Sequence, residues 1–354
     1  MIPKFPQTSP SFYSELKARV NRYFDETGQR PTGNFKLYSK AIFLVAGLIS
    51  VFVMLLVIEP NWVWGITGSI LLGLLIAAIG FNVMHDGSHG SFSRYPWVNT
   101  VAAYTLNILG GSAFMWNMKH CVIHHAYTNV HEVDDDLDAG ILLRLSKHQR
   151  YMKFHRFQHW YFWILYSQLY IFWIFASDYM KYFTGKIGDV PLKKMAVGDH
   201  FRFWVSKVLH AFIFIILPIM VLGIGPWAVG FIVMASITGF CLSIVFQLAH
   251  TVEHTQFPTA NPTTGKMEDE WAVHQLKTTA NFATRNKLVS WLVGGLNFQV
   301  EHHLFPRISH IHYPAINRIV KKACAEYNIP YVEYPRMYQA VHSHVNHLKR
   351  LAKG

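Results

Sequence analysis

The chain has 354 residues, of which 51% are hydrophobic, 15% aromatic and only 15% charged, a balance that excludes an ordinary pair of soluble domains and points to a membrane protein. Beside long apolar runs, the formal charge of +12 reads as basic anchors next to anionic lipid and not as a nucleic-acid surface. Three scattered cysteines, Cys121, Cys241 and Cys324, offer no disulfide framework and fit a reducing compartment.

Residues 1–40 are polar and basic, without the apolar core of a secretory signal. Within them 11–25 reads as an amphipathic helix, opened by Ser11 with Glu15 in its first turns, lying on the membrane face. Two uncharged runs follow, Ala41 to Ile58 and Trp62 to Met84, parted by the turn Glu59-Pro60-Asn61. Each is long enough to cross the hydrocarbon core. A second hairpin reads Val208 to Ile224 and Trp227 to Phe246, with Gly225-Pro226 at its tip. The tips carry no Lys or Arg, so the other end faces the cytoplasm. Two further stretches, 97–116 and 160–177, are apolar or aromatic. A crossing by either would separate histidines that must share one side, so both are expected to be interfacial or re-entrant. The expectation is an all-α membrane protein: four transmembrane helices in two hairpins, interfacial helices, and a helical cytoplasmic cap. Its divisions are an N-terminal segment (1–40), a core unit (41–330) and a C-terminal helix (331–354).

Twenty-one histidines are present, many in three short clusters. The first is His85-Asp86-Gly87-Ser88-His89, directly after the second apolar run. Four-residue spacing on a helix puts both imidazoles on one face. His120, His124 and His125 form the second cluster and repeat that spacing, and Gln299-Val300-Glu301-His302-His303 is the third. A lone histidine is usually a surface or hydrogen-bonded residue. Three clusters, each beside an apolar segment and on one predicted side, point instead to a shared metal site. Imidazole suits zinc, copper, iron and nickel, and seven clustered rings are too many for one ion.

The three boxes, in this order and placement around two membrane hairpins, resemble the membrane fatty acid desaturase family. The form Gln-Val-Glu-His-His-Leu-Phe-Pro is similar to front-end desaturases, which act between an existing double bond and the carboxyl end of the chain. Carried over by position, the resemblance implies that His85, His89, His120, His124, His125, His302 and His303 hold two irons, with zinc a possible substitute and O2 as co-substrate. His250, in Phe-Gln-Leu-Ala-His, matches a further ligand at the end of the last membrane helix. Gln299 stands where many relatives have histidine, and both ligation and action through water are open to it. His254, His274, His131, Asp86 and Asp135 are candidates for a supporting shell; for His131 and His274 the bland reading is equally good. The acidic run Asp134, Asp135, Asp136 and Asp138 is either a solvated loop or a set of carboxylates that orient imidazoles. His342, His344 and His347 read as surface residues.

The implied activity is O2-dependent insertion of a cis double bond into an acyl chain carried on coenzyme A, a carrier protein or a phospholipid. An unactivated methylene has no acidic proton or leaving group, so acid–base chemistry alone cannot attack it. The chain shows no flavin or nicotinamide fingerprint and no His-Pro-Gly-Gly haem segment, so electrons are expected from a separate ferredoxin or cytochrome b5 with its reductase. Related boxes also serve di-iron hydroxylases and oxygenases. A haem or metal-ion transporter would place facing histidines inside the spans, where only His210 lies. No His-Glu-x-x-His of a zinc protease occurs.

Overall fold

The computed structural model describes residues 3–7, 11–58, 61–137 and 139–353; Glu59, Pro60 and Asp138 lie outside these. Among the described residues, four helices are long and apolar enough to cross a bilayer: Phe35–Val57, Trp62–Ser88, Val197–Leu222 and Ile224–His250. They form two antiparallel hairpins, as the hydropathy pattern predicts. Each helix runs past the uncharged stretch that marks it. The first span takes in Lys36 and Lys40, and Lys40 lies buried 4.8 Å from the Trp291 ring centroid. The third begins ten residues before Lys207, so its first turns are polar. At 27 residues each, the second and fourth spans run about 40 Å, beyond a hydrocarbon core of about 30 Å. Their projecting ends carry His85 and His250.

The second hairpin reverses at Gly223, with φ 81°, a conformation open to glycine, and not at the predicted Gly225-Pro226. Pro226 instead sits in the first turn of the fourth span, where its missing N–H costs no helical bond. Second and fourth spans cross closely: a Cβ on Gly73 would meet the Met234 carbonyl oxygen at 2.6 Å. Small residues at such crossings let membrane helices pack backbone to backbone. The first span is peripheral and turns Ile42, Phe43 and Ile49 outward.

Among the described residues, neither intermediate apolar stretch is both long and apolar enough for a fifth span. The helix Pro96–Ile108 has 13 residues, about 20 Å, and breaks before Ala113–Trp116. Gln158–Phe172 continues through a π turn, Trp173–Ser177, into Asp178–Thr184. It packs against the fourth span, where Ser243 donates to the Tyr166 carbonyl at 3.2 Å, and it exposes Trp160, Ile164, Phe172 and Phe175.

The amphipathic helix Phe12–Thr27 does not spend its apolar face on lipid. Phe12, Leu16, Val20 and Phe24, four residues apart, pack with Val300, Leu304, Ile316 and Val320, each burial contributing about 1.5–3 kcal/mol. Nor does the Ser11 side chain cap it. A second correction concerns the C-terminal helix Met337–Leu351. His344 and His347 are buried, not surface residues. His344 lies between the Thr251 carbonyl (2.7 Å) and the Tyr166 hydroxyl (2.9 Å), and His347 faces the Leu145 carbonyl at 2.8 Å. With Ala340, Ser343 and Leu348 they form one helical stripe that seals the end of the fourth span. Sheet is minimal among the described residues: a short hairpin at Lys186–Ile187 and Val190–Pro191, and the parallel pair Ala280–Phe282 and Val332–Tyr334.

Candidate metal centre

Two departures from α-helical geometry aim the first two boxes. The second span ends in a π turn, Gly80–Met84, closed by the His85 N–H on the Gly80 carbonyl. The second box lies on a longer π segment, Asn117–His124, where the His125 N–H reaches the His120 carbonyl. With bonds closing five residues apart, residues at both four and five positions on share a face. His120, His124 and the adjacent His125 therefore all point inward. The third box forms the short buried helix Gln299–Leu304, and His250 ends the fourth span.

The eight histidines converge. Ligand atoms of His85, His89, His120 and His302 lie within 4.8 Å of one another, and so do those of His124, His250 and His303. His125 stands between the two groups, its ring centroid 4.5 Å from His302 and 4.4 Å from His303. The chemistry of the donor set fits two ions. Nε2 of His120, His124, His250, His302 and His303 and both nitrogens of His125 are buried without a hydrogen-bond partner, an arrangement that costs free energy unless something binds there.

In five of these rings the far nitrogen is tied down, which fixes ring orientation and leaves Nε2 bare. Nδ1 of His124 donates to Asp134 at 2.8 Å, Nδ1 of His120 to Asp136 at 3.0 Å, and Nδ1 of His303 to the Gln275 side-chain oxygen at 2.8 Å. Nδ1 of His302 lies 3.0 Å from the Tyr313 hydroxyl, and that of His250 lies 3.4 Å from the Thr278 carbonyl. Burial, reinforced by neighbouring rings, holds His89, His125, His302 and His303 well below the ordinary imidazole range. His120 is pushed down to about 4 by burial despite Asp136. His124 is the exception: burial disfavours its charge, but the Asp134 carboxylate outweighs that and raises it. Neutral rings are what metal ligation requires.

The supporting candidates divide. Asp86 is buried and accepts from Ser309 Oγ and from His310 Nδ1, each at 2.9 Å. It braces the first box against the turn after the third. Asp135 touches no histidine of the cluster; it faces Lys119 at 3.5 Å and Lys181 at 3.6 Å. Orientation falls to its neighbours Asp134 and Asp136. His274 is buried with Nε2 2.9 Å from the Thr128 carbonyl, outside the cluster. His254 is exposed beside Tyr334, and His131 stacks on His148. Gln299 is buried and its Oε1 has no partner. Gln275, Tyr313 and His310 escaped the sequence reading. Gln275 follows the singled-out His274, and His310 sits in a Ser-His-Ile-His run, so local histidine content was the available signal.

The fatty acid desaturase family profile matches residues 60–335. The chain is 34% identical over 347 residues to the sn-1 linoleoyl-lipid 6-desaturase of Arthrospira platensis, covering 97% of this chain and 93% of that protein. It is 35% identical to the acyl-lipid (8-3)-desaturase of Physcomitrium patens, covering 96% and 71%. With the Delta(5) fatty acid desaturase A of Dictyostelium discoideum identity is 30%, covering 99% and 76%. The chain belongs to the fatty acid desaturase family. It is a membrane oxidoreductase of lipid metabolism with a histidine metal site, a desaturase of the front-end type acting on acyl substrates.

Proposed function

We propose that the chain inserts a cis double bond into a lipid-linked acyl chain, between an existing double bond and the carboxyl end, using O2 and two irons held by His85, His89, His120, His124, His125, His250, His302 and His303. The observation that carries this reading is the paired cluster of buried, partnerless ring nitrogens whose opposite nitrogens are anchored. Iron bound there supplies the redox chemistry with O2 that an unactivated methylene requires. In the overall balance, two substrate hydrogens, two electrons and two protons convert one O2 to two waters.

The chain's own residues do the rest. Asp134, Asp136, Gln275, Tyr313 and the Thr278 carbonyl hold five rings in one tautomer, so the donor set is preorganised. Phe246 packs against His120, His124 and His250, with centroids 6.3, 5.1 and 4.9 Å away, and helps exclude water from the acyl side. Gln299, a weak neutral donor, tunes the site from its edge. A separate ferredoxin or cytochrome b5, served by its reductase, brings electrons. The centre faces the cytoplasm, since the basic residues cluster at its end of the spans. Residues 41–330 are the catalytic unit, with the described residues of 1–40 and 331–354 packed over it.

Expression in a host without polyunsaturated acids, with fed acyl substrates and profiling by mass, tests this. A product lighter by two hydrogens, with the new bond on the carboxyl side of an existing one, is expected. A product heavier by oxygen shifts the reading to hydroxylation.

A further inference from the structure

We infer that the cavity at the base of the first span binds the phosphate of a glycerophospholipid headgroup; this rests on the desaturase reading, because it assigns the headgroup of the substrate. The cavity measures about 440 Å³ and is lined by Arg30, Asn34, Tyr38, Arg94, Tyr95 and His312 among others. Three segments meet there: the cap of the first span, the loop after the first box, and the turn after the third. They are tied by the Gly33 N–H on the Ser91 carbonyl at 3.0 Å and the Ser309 N–H on the Pro31 carbonyl at 2.8 Å.

Its polar groups are unbalanced in sign. Neither Arg30 nor Arg94 has a carboxylate partner among the described residues. Arg94 leans on Tyr95, its guanidinium carbon 4.5 Å from the ring centroid. His312 is only 4% exposed; its ring faces the Thr32 and Arg30 backbone carbonyls as hydrogen-bond acceptors, while its buried Nε2 closes no bond of full geometry. Two guanidinium forks without a carboxylate, of which only Arg94 gives a hydrogen bond, to the Tyr95 hydroxyl, around a pocket of amide and hydroxyl groups suit a phosphate, which arginine grips bidentately, better than a neutral sugar. The setting favours a lipid over a soluble ion. Phe35 and Trp97, flanking the cavity in sequence, are 81% and 69% exposed, as aromatic residues are at a headgroup boundary. The same turn also reaches the metal cluster. Beside His312, the Tyr313 hydroxyl lies 3.0 Å from His302 Nδ1, and His310 Nδ1 donates to Asp86 at 2.9 Å. A headgroup held here starts its acyl chain next to the first and third boxes, and its fixed distance from the centre meters the carbons between carboxyl and new double bond.

Native mass spectrometry of the metal-loaded full chain in detergent tests the site with three probes: dioctanoyl phosphatidylglycerol, dioctanoylglycerol and inorganic phosphate. The phospholipid is expected to bind, and Arg30→Gln/Arg94→Gln to weaken it at least about 10-fold, the loss typical of one charge-assisted bond, with metal content retained. Arg30→Lys/Arg94→Lys is expected to restore part of that loss. Arg94→Gln alone, at an exposed position, serves if the double variant fails to fold, with the same threshold. Unchanged phospholipid affinity in the variants, equal affinity for dioctanoylglycerol, or full competition by equimolar inorganic phosphate each overturns the proposal. Wild-type protein that binds phospholipid through both arginines yet forms no desaturated product supports the subsite and overturns the desaturase reading. Product formed while dioctanoylglycerol binds equally well overturns the subsite alone.

Discussion

Asp134→Asn separates an orienting carboxylate from a merely nearby one. The Asp134 side chain is 1% exposed and takes a 2.8 Å bond from His124 Nδ1, whose ring is fully buried. It also accepts from the Asn129 N–H at 2.9 Å and the Asp136 N–H at 3.1 Å. Asparagine preserves shape but removes the charge and turns one acceptor into a donor. The lost charge-assisted bond is worth about 1.5–3 kcal/mol, which converts to the roughly 10- to 100-fold drop in metal affinity or activity typical of an outer-shell ligand partner. Asp135→Asn is the control. Its carboxylate, 21% exposed, sees only Lys119 and Lys181 at 3.5 and 3.6 Å, so it should cost about 0–1 kcal/mol. The assay is metal content after graded chelator dialysis, paired with turnover on the fed substrate. Equal behaviour of the two variants in both measurements would refute the reasoning that a fixed His124 tautomer matters.

Four further outcomes follow from the same geometry. His125→Ala and His302→Ala should each abolish product, measured by fatty acid profiling, while membrane insertion persists, because neither ring belongs to a span. Gln299→Ala should lower turnover about 10- to 100-fold with metal near wild type; complete loss of one ion would instead make Gln299 a ligand. Lys207→Met should destabilise the fold by about 3–5 kcal/mol in thermal unfolding, because it strands Asp178, its 2.7 Å partner, which is only 1% exposed. Lys207→Met/Asp178→Leu should recover much of that loss. Cysteine labelling should reach positions 90 and 307 from one face, the cytoplasmic one; opposite faces would break the topology.

What could be read from the sequence was whatever depends on period and length. Four apolar runs marked four spans, and the four-residue histidine spacing marked helices that present ligands. His250 came only from the resemblance, since nothing local distinguishes it from an interfacial histidine. The π segment at Asn117–His124 was not legible, because the energetic gain that sustains it comes from placing His120, His124 and His125 on one centre. Run-on helix ends were missed where Lys36, Lys40 and Lys207 break the hydropathy pattern: Lys36 is exposed, Lys40 lies over the Trp291 ring and Lys207 pairs with Asp178. Long-range partners were hidden for a different reason. Gln275 lies 28 residues from His303, and Asp86 lies 224 from His310, separations at which no sequence period operates. The acidic run pointed at the right loop but not the right member: the chain turn puts Asp134 and Asp136 toward the rings and Asp135 toward two lysines. Likewise the N-terminal helix showed its apolar stripe plainly, but not whether lipid or the third box would cover it.

The most direct measurement is elemental analysis of the purified, folded chain expressed with supplemented iron, beside His303→Ala. Wild type should carry two metal ions per chain, with iron predominant or zinc in its place, and His303→Ala should fall to about one, because His124, His250 and His303 form one group while His85, His89, His120 and His302 form the other. One ion or none in folded wild-type protein would contradict the dinuclear centre, and two in His303→Ala would contradict the division of its ligands into these two groups.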